Sequence, residues 1–235
     1  MSGMTRRRIQ DPPHAYTSLW IKTCNFTFLS LTRPSLPRAP MPMQGLWLGT
    51  WAKFLLGWRL GPYVPTPPHV VASMLRLAEL SPGDVLYDLG CGDGRVCVAA
   101  CSPELGGTRR DVRAVGFELD PRLAAEARRY VEDVNLGGAV EIREEDALGA
   151  DLGDATVVAL YLSETGNRKL MPSLAKLRAG ARVVTFTFPL CDRMRPTKSK
   201  KVDGISLYMY RKGSTGANSW VGPQGEDYIV DLVRA

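Results

Sequence analysis

A chain of 235 residues, 45% hydrophobic and 23% charged, can bury one sizeable core with an extension, and its apolar residues are too evenly spread for a polytopic membrane protein. The formal net charge of +6 sits almost wholly in residues 1–45, which carry six Lys/Arg and one acid, against 24 basic and 23 acidic side chains in the remainder. No basic nucleic-acid surface is therefore expected of the folded part, and no nucleic acid among its partners.

Residues 1–45 (Arg6, Arg7, Arg8, Lys22, Arg33, Arg38) are Arg-, Ser- and Thr-rich and nearly acid-free. That is the composition of an organellar transit peptide, with the mitochondrion as first choice and the plastid as second. The competing reading is a disordered basic tail on a cytoplasmic protein. Residues 46–62 form a tryptophan-rich lead-in, in which Trp47, Trp51, Phe54 and Trp58 share one side at helical pitch. It carries Lys53 and Arg59 and falls short of the roughly 20 apolar residues that a bilayer span requires. It reads either as a helix packed by its aromatic side on the next domain, or as an interfacial helix giving peripheral membrane contact through residues 46–60. Residues 63–235 are read as the folded domain.

Thr66 followed by Pro67 predicts the cap and first turn of a helix through Val70, Val71, Met74, Leu75 and Ala78. Ser81-Pro-Gly-Asp84 turns into an apolar strand that ends on Asp88, and the chain then runs Gly90-Cys91-Gly92-Asp93-Gly94. Glycine tolerates positive φ and lets a ligand approach the main chain closely. The dinucleotide fingerprint G-x-G-x-x-G fails at its third glycine, where Arg95 stands, so the spacing suits an adenosine-type cofactor without a pyrophosphate. A carboxylate at Asp88 favours a cationic ligand group, such as the amino group of S-adenosylmethionine. Taken alone, the turn leaves open a competing reading, an ordinary tight β–α connection. Five cysteines (Cys24, Cys91, Cys97, Cys101, Cys191) form no CxxC pair, which argues against a disulfide framework and against a metal site. Cys97 and Cys101, one turn apart on the next helix, read as small buried apolar residues.

Ala114–Leu119 predicts a second buried strand with Glu118 at its end, an acid suited to accept from two ribose hydroxyls. Asp120-Pro121 opens a helix with Leu123, Ala127, Tyr130, Val131 and Val134 on one face, stopped by Gly137-Gly138. Val140–Arg143 is a short strand, followed by Glu144-Glu145-Asp146-Ala147, where Asp146 is placed to accept from an adenine amino group. Any one of the three acids could be a cap or a solvated charge. Three acids after three successive strands point to one nucleoside.

Thr156–Leu162 is a continuous apolar run, as expected of a central parallel strand. Ser163–Asn167 follows as a connection, then a helix over Arg168–Arg178 with Gly180 as its stop, then a strand over Ala181–Phe188. The basic run Arg193, Arg195, Lys198, Lys200 and Lys201 reads as a solvated loop, or as a contact for anionic headgroups or an acidic partner. Ile205–Tyr210 and Asp227–Val233 predict a closing antiparallel hairpin. Strands alternating with helices imply an α/β domain with a parallel sheet.

Asp88–Gly94, Glu118 and Asp146 resemble the cofactor motifs of class I S-adenosylmethionine-dependent methyltransferases. Tyr63-Val-Pro-Thr-Pro67 ahead of Tyr87-Asp-Leu-Gly-Cys-Gly-Asp-Gly-Arg95 is similar to one branch, the mitochondrial lysine N-methyltransferases of ATP synthase subunit c and the adenine nucleotide translocase, with their bacterial relatives. The likeness runs from about residue 63 to about 212, and the interval from Asp88 to Glu118 is longer than usual, with a surface loop expected around 102–113. It implies a Rossmann-like, seven-stranded class I methyltransferase sheet, mostly parallel with a C-terminal antiparallel hairpin. It implies S-adenosyl-L-methionine as cofactor, bound by Thr66, Asp88, Gly90, Cys91, Gly92, Gly94, Glu118, Asp146 and Ala147, with no metal. It further implies a protein lysine as acceptor, on a mitochondrial membrane protein such as ATP synthase subunit c or the adenine nucleotide translocase.

The acceptor wall is expected at the end of the fourth strand, with Tyr161, Ser163, Glu164 and Asn167, and Tyr63 entering from the lead-in. Tyr161, Tyr63 and Glu164 are the candidate catalytic residues. Glu164 is either the proton acceptor or a charge at the start of the next helix. The Asp/Asn-Pro-Pro-Tyr motif of nucleic-acid amino-methyltransferases does not occur at 161–164, which speaks against base N-methylation. A small-molecule methyltransferase and a non-catalytic cofactor-binding assembly factor are the alternative functions.

Overall fold

The computed structural model describes residues 60–102 and 111–231. The basic leader over 1–45, the lead-in helix up to residue 59 and most of the loop expected at 102–113 lie outside the described residues. Along the chain come α1 (Pro68–Leu77), β1 (Val85–Leu89), α2 (Arg95–Cys101), β2 (Arg113–Phe117), α3 (Pro121–Asp133), β3 (Val140–Arg143), a 3₁₀ turn (Ala147–Gly149), β4 (Val157–Leu160), α4 (Glu164–Leu174) and β5 (Arg182–Phe186). Then follow β6 (Lys198–Val202), β7 (Ile205–Lys212), β8 (Ser219–Val221) and β9 (Asp227–Ile229).

The sheet runs β3-β2-β1-β4-β5-β7-β8-β9, with β6 also paired to β7. Strands β1 to β5 are mutually parallel. Strand β7 enters antiparallel between β5 and β6 and extends to β8. The strand order reverses between β1 and β4, so the crevice for a ligand lies at the carboxyl ends of those two strands. Apolar residues of successive strand positions divide between the two faces: Leu86, Val157 and Ala159 pack with α1 and α2, while Leu89, Val158 and Leu160 pack with α4. This is the two-sided burial that parallel strands require.

Several boundaries differ from those the sequence suggests. Helix α1 starts one residue later than expected, at Pro68, because Pro67 precedes a proline and is held extended (φ −58°, ψ 143°), outside the helical region. Helix α3 begins as expected, with the Asp120 carboxylate accepting from Arg122 N, but ends at Asp133, before the glycine pair. Asn135 takes the left-handed conformation (φ 57°) that closes it, and Val134 is left 38% exposed. Helix α4 starts at Glu164 instead of Arg168: Ser163 Oγ accepts from Gly166 N as an N-cap.

The C-terminal third departs most. The basic run is not a loop from Lys198 on: Lys198–Val202 is β6, turned into β7 by Asp203-Gly204, both at positive φ (51° and 79°), the conformation that Asp-Gly hairpin turns supply. Strand β9 pairs with β8 and not with β7. The sheet therefore has nine strands among the described residues; β6 and β8 are added to the seven expected.

At the amino-terminal ends of the strands, opposite the crevice, Arg182 pairs with Asp84 and donates to Ala78 O (3.2 Å) and Glu79 O (2.7 Å), while Thr156 Oγ1 donates to Asp84 Oδ1 (2.7 Å). This network ties β1, β4, β5 and the end of α1 together far from the glycine turn.

Candidate active site

A cavity of about 300 Å³ opens at the carboxyl ends of β1, β2 and β4. Its floor is the turn from β1 into α2. Gly90, Gly92 and Gly94 all take positive φ (92°, 56° and 79°). At Gly92 the bare backbone is required for space as well: a Cβ there would lie 2.5 Å from the Tyr63 ring. Gly116, on β2, does the same for Cys91, whose Sγ would stand 2.7 Å from an added Cβ. The buried thiols of Cys91 and Cys97 are pushed up by burial, and that of Cys101 to about 11, so none of them supplies a thiolate.

Five acids line the cavity: the three expected from sequence, Asp88, Glu118 and Asp146, together with Asp93 and Glu145. Asp88 is buried and forms no ion pair among the described residues; burial first, then the charges of Glu118 and Asp93, raise its pKa to about 8. Glu118, also buried, accepts from Gly92 N at one oxygen (2.9 Å) and from Asp120 N at the other (2.8 Å). The glycine turn thus hangs on the second acid, which keeps a lone pair on each oxygen for further donors. Asp146 is exposed; one oxygen accepts from Leu148 N and caps the 3₁₀ turn that begins with Ala147. Leu119 and Leu148, 46% and 40% exposed, also line the cavity and give it an apolar slot beside Asp146.

The other wall is the lead-in segment 60–66, which has no regular structure. Arg95 grips Asp93 with Nε (2.9 Å) and Nη2 (2.5 Å) and donates from Nη1 to Thr66 O (2.9 Å). Ser163 donates through its backbone N (3.2 Å) and Oγ (2.7 Å) to Leu60 O. A Cβ on Gly166 would fall 2.2 Å from that same oxygen, so α4 receives the segment only at a glycine. Tyr63 lines the cavity beside Asp93 and Arg95, and burial first, then Asp93, holds its phenol above the usual range.

All nine residues expected to hold the cofactor line this cavity or its turn: Thr66, Asp88, Gly90, Cys91, Gly92, Glu118, Asp146 and Ala147 as lining, and Gly94 as the left-handed cap of α2. Of the three residues expected to be catalytic, Tyr161 and Tyr63 line it and Glu164 does not. The Glu164 carboxylate, 43% exposed, reaches Arg168 one turn on (2.9 Å), an arrangement that serves the first turn of α4. Asn167 is buried, and its Nδ2 donates to Phe188 O and Pro189 O instead of facing the cavity. Missed from sequence were Arg95, Asp93, Leu119, Leu148 and Lys169, which line it too. Opposite charges two residues apart across Gly94 were the one available signal for the Asp93–Arg95 pair.

The cavity fits S-adenosyl-L-methionine. A buried carboxylate without a cation suits the methionine amino group, a second acid with lone pairs to spare suits the ribose, and an acid beside an apolar slot suits the adenine. Among the described residues no three His, Cys, Asp or Glu side chains gather as a metal site, and no helix is long and apolar enough to cross a membrane.

The model of the ANTKMT methyltransferase domain matches residues 88–198. A protein-lysine N-methyltransferase of Saccharolobus islandicus is 38% identical over 130 residues, covering 55% of this chain and 78% of the relative. The adenine nucleotide translocase lysine N-methyltransferase of Mus musculus is 35% identical over 130 residues, covering 55% of this chain and only 54% of the mouse protein. The crystal structure of an RNA methyltransferase from Salinibacter ruber in complex with S-adenosyl-L-homocysteine superposes with a TM-score of 0.57 at 39% identity, over 62% of this chain and 92% of that one. With that extent of likeness laid over a pocket built from the same motif positions, the chain belongs to the ANTKMT methyltransferase-domain family and is an S-adenosylmethionine-dependent methyltransferase.

Proposed function

We propose that the enzyme methylates the side-chain amine of a lysine in an organellar membrane protein, the mitochondrion being the first choice of compartment. Likeness to two protein-lysine N-methyltransferases supports the acceptor class. The observation that carries the reading is the end of β4: Tyr161 stands in the cavity wall, and Tyr161-Leu-Ser-Glu164 replaces the Asp/Asn-Pro-Pro-Tyr that would grip a base.

The cofactor supplies a methyl group already activated on a sulfonium. The chain's task is to hold an uncharged amine in line with it, about 3 Å away, and to keep water out. Asp88 would hold the cofactor's amino group and Glu118 its ribose. Tyr63 and Tyr161 form an aromatic mouth whose apolar walls disfavour the ammonium form of an entering lysine. Tyr63, with its pKa raised, stays a neutral hydroxyl that orients the amine and takes no proton from it. In this reading Glu164 serves the start of α4 and the amine's proton leaves to solvent.

The test is tritium transfer from labelled cofactor to organelle membranes of a knockout, with the wild-type enzyme added back. Label in a protein band that maps to lysine is the expected result. The RNA methyltransferase likeness favours a second reading, an RNA acceptor, in which the label resists protease and is lost to ribonuclease.

A further inference from the structure

Thr187, immediately after β5, is β-branched and yet has φ 72°. Phe188 N donates back to Phe186 O (2.9 Å), so the three residues close a γ-turn with Thr187 at its centre, the rare and strained form of that turn. Such strain persists only where the surroundings over-determine it, and it gathers at functional sites. The surroundings do so here. Thr187 N donates to Ser206 O (2.9 Å) on β7, the buried Asn167 amide donates to Phe188 O (3.3 Å) and Pro189 O (3.0 Å), and Tyr210 Oη accepts from Leu190 N (3.3 Å). Thr187 Oγ1 and Asn167 Oδ1 are both buried and unpartnered among the described residues.

What the turn fixes is Phe186. It is the last residue of β5, 1% exposed, and its ring packs on that of Tyr161 with centroids 4.5 Å apart and planes at 54°. Tyr161 faces the cavity from the end of the neighbouring strand. We infer that Thr187 and Asn167 are positioning residues for the methyl acceptor: the clamped γ-turn sets Phe186, and Phe186 sets the Tyr161 ring that walls the acceptor's approach. The inference rests on the reading that the acceptor enters past Tyr161, but not on the acceptor being lysine. Neither residue lines the cofactor cavity, and none of the nine residues expected to hold the cofactor bonds to the clamp.

The decisive variant is Thr187→Gly: glycine takes the φ without strain, so folding is preserved, but lacking a Cβ it also frees the turn to leave its single conformation; Thr187→Ser is the conservative control. The wild-type enzyme is first assayed with tritiated cofactor against membrane protein and against RNA, and whichever takes label becomes the common substrate, so a failure of the lysine reading shows at that stage alone. Thr187→Gly is expected to melt no lower than wild type, to bind S-adenosylhomocysteine within twofold of wild type, and to turn over at least tenfold more slowly, with Thr187→Ser retaining most of the rate. In ¹³C-tyrosine-labelled protein, the ring signals of Tyr161, assigned with Tyr161→Phe, are expected to broaden or average in the glycine variant only, a readout that needs no acceptor. Full turnover in Thr187→Gly, or Tyr161 signals identical to those of wild type, would overturn the inference.

Discussion

Asp88 sets the pH behaviour of the site. Its carboxyl is neutral below about 8 in the folded protein, against 3.8 as its ordinary value. A raised folded pKa means that the native state holds the proton longer than the unfolded chain does. The stability from this group is therefore fully present below about pH 4 and is lost as pH rises through about 8. Melting temperatures of Asp88→Asn and wild type across pH 4 to 9 check the sign: the variant's advantage should grow with pH and level off above 8. Cofactor binding runs the other way, since the carboxyl must ionise to meet an ammonium group. Affinity for S-adenosylhomocysteine should rise towards pH 8 with release of a proton, visible by calorimetry in buffers of different ionisation enthalpy, and Asp88→Asn should lose both the affinity and the proton. Gly92→Ala puts a methyl into the Tyr63 ring and forces a strained φ; cofactor affinity should fall about five- to 150-fold, for a cost of about 1–3 kcal/mol. The acids and glycines were readable in the sequence because each is a local event, a strand end followed by its turn. Arg95 was not, because its partner Thr66 O lies 29 residues away and nothing local marks a backbone carbonyl as an acceptor.

Among the elements, α4 and β6 show what a linear reading loses. Ser163, expected to open a connection, instead caps α4 by accepting from Gly166 N (3.0 Å). Its hydroxyl is also fixed by a bond to Leu60 O that spans 103 residues, which nothing local announces. In β6 the lysines mask a strand. Lys198 pairs with Glu79, which also takes Arg211 at 2.7 Å, while Lys200 and Lys201 are exposed on a strand that closes the sheet's edge over this stretch. Charged edges block pairing with another sheet, so the run that looked like a solvated loop is what keeps β6 from recruiting a second chain. Lys200→Val with Lys201→Thr should leave cofactor binding intact and raise self-association, measured by light scattering. Gly204→Ala should cost about 1 kcal/mol of stability, because the turn needs positive φ there.

Across the whole molecule, structure and chemistry occupy opposite ends of the sheet. The Asp84–Arg182 pair sits at the amino ends, with side chains 9% and 12% exposed. Removing one member leaves a buried charge unpaired, so Arg182→Met should destabilise by about 3–5 kcal/mol while the surviving folded protein keeps its cofactor affinity. In the parallel core, β1, β2, β4 and β5 were legible from apolar runs, since strands buried on both faces carry one continuous signal, while β3, at the sheet's edge, showed only as the short alternating run Val140-Glu-Ile-Arg143. Strand β8 was not, being three residues long, and without it β9, expected as a strand, was assigned to β7 instead of to β8. The lead-in, by contrast, is a wall with two fasteners, Leu60 O on α4 and Thr66 O on Arg95. Everything between them is a short strap across the mouth of the pocket. Because that strap lays the Tyr63 ring on the glycine turn, where a Cβ on Gly92 would lie 2.5 Å from it, loosening either fastener is felt directly at the floor on which the cofactor would rest.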